Sequence, residues 1–451
     1  MTDVPPQRQL PNGSVNAVEG GAKPHRIVIV GCGFGGLAAA KRLARTEAQV
    51  TVIDRTNHNL FQPLLYQVAV AALSADSIST PVRSAFRGHP NVSTVMGTVT
   101  GVDRAARLVM LEDGTRIGFD TLILASGSVY SWFGHPDWAE RAPALKTAAD
   151  AILLRDRILS AFEHAELQTD PDAARRLLCF AVVGAGPTGV ELAGAIAELS
   201  RTTLARDFRR IRPGDARVVL CDAGPRVLAA FPDHLSDYAA RRLRELGVEL
   251  HLGAAVDTID DDGIVAGGTR IEAGNVFWAA GTEATPVAKW LGVEAGKNGL
   301  VAVEPDCSLP GDPSVFVLGD ASRMTGENGK PLPALGAVAK QQGAYVGDLL
   351  ARRLSGRAPP KPFRYRNLGE LATLGGSSAV ANFGFVRLTG LPAWIVWSAV
   401  HLLLLVSLRN RLVVYVNWMW AWLTYGRGAR VILQEPQRAQ QTAFHPAPAP
   451  R

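Results

Sequence analysis

Two short glycine-rich stretches carry the clearest chemistry in this 451-residue chain. Gly31-Cys32-Gly33-Phe34-Gly35-Gly36 follows the apolar run Ile27 to Val30, and Gly184-Ala185-Gly186-Pro187-Thr188-Gly189 follows Leu178 to Val183. Each is a G-x-G-x-x-G between a β-branched run and a helical pattern. In that setting the first glycine (Gly31, Gly184) permits a tight turn, and the second (Gly33, Gly186) lets the backbone approach a pyrophosphate. The third (Gly36, Gly189) lets the helix pack close on the strand, so that the helix N-terminus faces the phosphates. Asp54 and Asp222 end the next strand patterns, where a carboxylate accepts hydrogen bonds from a ribose. Two fingerprints imply two dinucleotides. Asp222 would repel a 2′-phosphate, so the second site is expected to take NADH over NADPH, with Arg226 nearby as the opposing charge.

A third chemical element is Val315-Phe316-Val317-Leu318-Gly319-Asp320-Ala321, a strand pattern running into Gly-Asp. Other chemistries find little support. The four cysteines, at 32, 179, 221 and 307, form no C-x-x-C pair and no zinc spacing, which reads as reduced thiols in a cytosolic compartment. His58 and His234 are isolated, and neither a metal cluster nor a nucleophilic triad is expected.

The elements that must position these residues follow from periodicity. Strand, turn, helix and strand recur as a βαβ unit at 25–54 and again at 178–222. Helix patterns cover Leu37 to Arg45, Ala148 to Glu166, a stretch ending at Leu199, and Leu235 to Leu246; strands are expected at Ser93–Val99, Leu108–Leu111, Thr121–Ala125 and Val315–Leu318. Helices on both faces of parallel sheets predict an α/β fold with two Rossmann-type domains. Length alone predicts two or three domains, and 47% hydrophobic with 20% charged residues excludes a disordered or fibrous chain. Residues 1–24 are polar, lack the apolar centre of a secretory signal and read as a disordered lead-in.

The paired fingerprints with the late Gly-Asp resemble the two-dinucleotide flavoprotein superfamily. The resemblance implies FAD on the first fingerprint, with Asp320 on its ribityl chain, and NADH on the second. Ala125-Ser126-Gly127 and Ala279-Ala280-Gly281 resemble that superfamily's small-residue crossovers, which adds Gly127 and Gly281 to the cofactor-binding set of Gly31, Gly33, Gly36, Asp54, Gly184, Gly186, Gly189, Asp222, Gly319 and Asp320. Phe61-Gln62-Pro63-Leu64-Leu65-Tyr66-Gln67-Val68-Ala69 and Ala339-Lys340-Gln341-Gln342-Gly343 are more specifically similar to type II NADH dehydrogenases, the non-pumping NADH:quinone oxidoreductases.

That resemblance implies hydride transfer from NADH to FAD and two-electron transfer to a membrane quinone. It places a helix from near Pro333 with its N-terminus toward the flavin, where the helix dipole favours negative charge. Gln341 and Gln342 on this helix would border the quinone headgroup. Glu191, expected in the first turn after the second fingerprint, would lie where nicotinamide and flavin meet and act electrostatically or in proton handling. The chain departs from the family at Ala337, where a Gln is frequent, and at Gly376-Ser377, where basic residues are frequent. Disulfide reductases need a redox C-x-x-C that this chain lacks. The alternatives are a sulfide:quinone-type oxidoreductase, which needs a suitably placed cysteine pair after the first fingerprint where Cys179 and Cys221 read as buried strand residues, and, from a different class, a non-catalytic NADH/FAD-binding signalling flavoprotein.

The domain division expected is a lead-in at 1–24, an FAD-binding domain split between 25–145 and 286–357, an inserted NADH-binding domain at 146–285, and a C-terminal membrane-associating segment at 358–451 after Ala358-Pro359-Pro360-Lys361-Pro362. From Arg409 onward six arginines (409, 411, 427, 430, 438, 451) face one acid, Glu435. Beside five tryptophans (394, 397, 418, 420, 422), this basic end fits anionic lipid rather than nucleic acid. Residues 391–408 lack charge and would extend about 27 Å as a helix; 412–425 would reach about 21 Å. Helices lying in the cytoplasmic leaflet, monotopic or peripheral, are expected, against a true span or a helix pair buried in a soluble homodimer.

Overall fold

The structure, a computed structural model, describes residues 23–327, 329–424 and 426–433. Most of the lead-in, Glu435, Arg438 and Arg451 lie outside the described residues. The chain forms two compact units, one of Met1–Leu60, Ser79–Ser131 and Gly281–Leu368, the other of Phe61–Ile78, Trp132–Ala280 and Gly369–Arg451.

The first unit is built on a six-stranded sheet in the order Ser308–Leu309, Asp312–Val317, Thr121–Leu124, Arg26–Val30, Gln49–Asp54, Val92–Met96. All its pairings are parallel except the edge hairpin at 308–317. Strand Arg26–Val30 is buried from Ile27 to Val30 and Thr121–Leu124 throughout, which is why both read as unbroken apolar runs. Asp312–Val317 completes the sheet from far along the chain, pairing Val315 with Leu122 and Val317 with Leu124. The strand expected over 93–99 is two strands, Val92–Met96 and Val99–Asp103, because the chain leaves the parallel sheet at Gly97 to start an antiparallel one with Leu108–Leu111 and Arg116–Gly118.

On this sheet helix Phe34–Leu43 packs against helix Gly336–Leu354. Glycines set the approach: a Cβ at Gly347 would sit 2.6 Å from Arg42 Cβ, and one at Gly343 would collide with the Gly35 carbonyl. The second helix starts at Gly336 rather than near Pro333. Leu335 itself is extended, and its N–H donates to the Pro333 carbonyl at 2.9 Å in a tight three-residue turn, so the helical bonds begin only after it.

The second unit holds a four-stranded parallel sheet, Val248–Leu252, Arg217–Asp222, Cys179–Val183, Asn275–Trp278. Helix Ala148–Leu167 begins in a reciprocal capping box, Asp150 N–H to Thr147 Oγ1 and Thr147 N–H to Asp150 Oδ2. A three-stranded antiparallel sheet, Glu370–Thr373, Ala379–Asn382, Arg387–Thr389, leads into helices Gly390–Leu404 and Leu408–Thr424. The uncharged stretch at 391–408 is therefore not one helix. Arg411 donates to the carbonyls of Leu405 and Leu403 and so terminates the first helix. Among the described residues, no helix is long and apolar enough to cross a membrane.

Candidate functional site

The two fingerprints fold into nearly identical turns. Gly31 has φ +92°, and a Cβ there would lie 2.8 Å from Ala125 C; Gly184 has φ +106°, and its Cβ would lie 2.6 Å from Ala279 C. Both need the left-handed region and the missing side chain. A Cβ at Gly36 would strike Gly31 O, and one at Gly189 would strike Gly184 O. Gly33 and Gly186 cap helices Phe34–Leu43 and Pro187–Glu198 without a side-chain hydrogen bond, and no atom of the described residues lies within 4 Å of where their Cβ atoms would be. Each turn is thus an open cradle at a helix N-terminus, the form that fits a pyrophosphate.

The aspartates hold these cradles. Asp54 accepts from the Cys32 N–H at 2.6 Å and from the Thr56 N–H and hydroxyl, both at 2.8 Å. Asp222 accepts from the Ala185 N–H at 2.5 Å and the Gly224 N–H at 2.6 Å. A carboxylate has about four acceptor positions, so each keeps capacity for a ribose hydroxyl. Arg226 is paired with Asp233, so Asp233 counters its charge. The small crossovers explain themselves in the same contacts, since the Ala125 and Ala279 backbones are what Gly31 and Gly184 pack against. Gly127 and Gly281 follow with φ +74° and +96°.

At the carboxyl edge of the first sheet, the Ser128 hydroxyl donates to Asp320 Oδ2 at 2.8 Å. The Gly319 N–H donates to Gln342 Oε1 at 2.7 Å, and Gln342 is 1% exposed. Gln342 therefore pins the Gly-Asp turn. Gln341 pairs with the Arg366 backbone in both directions, Nε2 to O at 2.9 Å and Oε1 from N–H at 3.0 Å. These fastening roles carry no sequence signal, because the partners lie in turns and coil.

Glu191 is the fifth residue of helix Pro187–Glu198, not in its first turn, because Gly186 is the N-cap and Pro187 opens the helix. The helix dipole therefore gives no account of it. It is half-buried, its Oε1 accepts the Thr373 N–H at 3.2 Å, and desolvation by the surrounding protein pushes its pKa up to about 8. The Tyr66 hydroxyl lies 2.9 Å from Thr373 Oγ1, Gln67 Nε2 donates to that same hydroxyl at 2.9 Å, and Trp418 Nε1 donates to Gln67 Oε1 at 2.7 Å. Burial raises the Tyr66 pKa, and the Glu191 carboxylate raises it further once that group ionises, so the phenol stays protonated.

This chain of bonds borders a cavity of about 260 Å³ lined by Tyr66, Gln67, Thr373, Trp397, Trp418 and Trp422 among others. Trp397 is 1% exposed, and among the described residues its indole N–H has no hydrogen-bond partner. The sequence offered Tyr66 and Gln67 only as part of a similar stretch and did not single out Thr373. The four cysteines are buried, and desolvation raises Cys179 to about 11 and Cys32 and Cys221 to about 12. Burial of this kind favours the protonated thiol over the thiolate that sulfide or disulfide chemistry uses.

Two cradles of one design, on separate parallel sheets, define a two-dinucleotide oxidoreductase fold. Residues 25–343 match the pyridine nucleotide-disulphide oxidoreductase family, and 367–428 match the NDH2 C-terminal domain. The chain is 43% identical to the type II NADH:quinone oxidoreductase Ndh of Mycobacterium tuberculosis over 91% of each chain, and 41% identical to NdhA of the same organism over 94% of this chain and 92% of that one. It also resembles the structure of NDH2 from Plasmodium falciparum in complex with NADH, with a TM-score of 0.82 at 19% identity, covering 90% of this chain and 99% of that one. The chain belongs to the pyridine nucleotide-disulphide oxidoreductases and, within them, to the type II NADH:quinone oxidoreductases.

Proposed function

We propose that this protein oxidises NADH and reduces a membrane quinone to the quinol, consuming one proton beyond the hydride that NADH delivers and pumping none. The observation that carries the quinone end is the Trp-lined cavity joined to Glu191 through Gln67, Tyr66 and Thr373. FAD, when bound, supplies the two-electron carrier that takes a hydride and passes electrons on.

The protein's own part is positioning and proton handling. Gly31, Gly33 and Gly36, with Asp54, Gly127, Gly319 and Asp320, would hold FAD, and Gly184, Gly186, Gly189, Asp222 and Gly281 would serve NADH. Glu191, neutral below about pH 8, holds a proton that the reduced quinone needs. Gln341 and Gln342 remain candidates beside the quinone, Gln342 through the turn it pins. The FAD-binding domain is proposed at 25–145 and 286–357, the NADH-binding domain at 146–285 and the membrane-associating segment at 358–451.

Helices Gly390–Leu404 and Leu408–Thr424 expose Leu391, Ile395, Leu403, Leu412, Trp420 and Leu423, each more than half accessible. An apolar surface of that extent fits insertion into one leaflet. With Arg409 and Arg411 beside it, we assign it to anionic lipid on the cytoplasmic face, with a homodimer compatible. The experiment is direct: purify the protein, identify the bound chromophore, and compare NADH with NADPH oxidation in the presence of a soluble quinone. Absence of FAD, or no quinone-dependent oxidation, would overturn the reading.

A further inference from the structure

The basic C-terminal stretch is not wholly a lipid-facing surface. Arg427 turns inward: its side chain is 8% exposed, Nη1 donates to the Val70 carbonyl at 3.1 Å, and Nη2 lies 3.5 Å from Glu198 Oε2. Arg430 pairs with Asp207 and its Nε donates to the Arg427 carbonyl at 3.1 Å, while the Leu433 N–H donates to Asp156 Oδ2 at 3.1 Å. Three separate ties therefore seat this short stretch after the last helix, and the seat places a guanidinium in the cavity wall. Among the described residues lining the cavity, Arg427 is the single cation and Glu198 the single anion. Gly376 and Ser377, which carry no charge, line the same space, and Glu198 Oε2 also accepts the Gly376 N–H at 3.2 Å.

A stabilising ion pair does not by itself account for this arrangement. Withdrawing a guanidinium from water is expensive unless its donors are met, and Arg427 has five N–H donors against, among the described residues, one carbonyl and one carboxylate at 3.5 Å. The remaining walls are indole rings, a phenol, an amide and hydroxyls. They suit a flat, uncharged ring bearing carbonyl oxygens, and reduction of such a ring builds negative charge on those oxygens. A fixed cation in the wall of that cavity is a means of stabilising it.

Resting on the quinone reading above, we propose that Arg427 is the residue that recognises the quinone carbonyl and stabilises the charge developing on its oxygen, with Glu198 and the Val70 carbonyl orienting the guanidinium. Glu198 is thus a positioning residue.

The test compares R427Q, R427K and E198Q with the wild-type protein. Three readouts are used: turnover with a short-chain soluble quinone, turnover with ferricyanide, and quenching of tryptophan fluorescence on titration with the oxidised quinone. Loss of one hydrogen bond to a charged donor predicts a fall of roughly tenfold to a hundredfold in kcat/KM for quinone in R427Q. Weakened quenching should accompany it, with ferricyanide turnover and flavin content unchanged; R427K should recover part of the loss, and E198Q should lose less than R427Q. Unchanged quinone kinetics in R427Q would overturn the proposal, as would a parallel loss of ferricyanide turnover in R427Q and R427K, which marks a structural role. Wild-type protein whose flavin bleaches with NADH but which reduces no quinone would overturn the functional reading first and this inference with it.

Discussion

The Thr373 N–H donates to Glu191 Oε1 at 3.2 Å across 182 residues of sequence. This bond lowers the Glu191 pKa, but desolvation outweighs it and leaves the group at about 8. The consequence is a carboxyl group that holds its proton through the neutral range.

The first prediction follows for catalysis. Quinone turnover is expected to fall as pH rises through about 8, where Glu191 gives up its proton. Glu191→Gln should lower quinone turnover and remove that limb of the profile. A pH–rate series on both proteins checks it, and an unchanged limb in the variant would assign the titration to another group.

The same shift has a sign for stability. A carboxyl with a raised folded pKa contributes stability that is fully present below the ordinary carboxyl range and is lost as pH climbs to about 8. Denaturant titrations between those limits should show wild-type stability declining relative to Glu191→Gln by at most about 1.4 kcal/mol per pH unit.

Tyr66→Phe removes the hydroxyl shared by Gln67 and Thr373. Both partners are more than nine-tenths buried, so the loss should cost about 1–3 kcal/mol. Thermal unfolding measures that cost. If the hydroxyl also serves the cavity, quinone turnover should drop while ferricyanide turnover holds.

Gly36→Ala and Gly189→Ala separate the two cradles. Each adds a methyl against a backbone carbonyl of its own turn. Gly36→Ala should yield protein with little flavin. Gly189→Ala should keep its flavin and raise the KM for NADH, and equal flavin loss in both would contradict the separate assignments.

Membrane association is testable on the exposed apolar face. Leu412 and Trp420 are 58% and 62% accessible. Leu412→Glu with Trp420→Glu should weaken sedimentation with anionic vesicles and leave ferricyanide turnover intact.

The two cradles were legible because their defining parts are local: strand, glycine turn, helix and the aspartate after the next strand lie within one βαβ unit, and only the Ala125 and Ala279 backbones come from farther along the chain. Gly319-Asp320 was legible only through its resemblance, since the pairing of Val317 with Leu124 is a long-range event. The bond from Tyr66 to Thr373 spans 307 residues, and no periodicity encodes it. Gln342 read as a candidate beside the quinone, but that its amide fastens the Gly319 turn is carried by no sequence pattern. Arg427 read as one of several surface charges because the carboxylate and carbonyl that draw it inward, on Glu198 and Val70, are remote in sequence. The break at Leu405 was hidden for a related reason: hydropathy records the apolar run but not the arginine that caps it.

The order in which the strands are synthesised differs between the two sheets. The four described strands of the sheet proposed to serve NADH lie between Cys179 and Trp278, so all of its strands are available once this stretch clears the ribosome. The other sheet waits for Asp312–Val317, and the turn that Gln342 pins waits longer still. Because domains fold as units during synthesis, biogenesis of the enzyme is expected to run opposite to its electron flow, with the nicotinamide scaffold finished first and flavin acquired last. A nascent chain stalled near Ala302 should therefore carry no flavin.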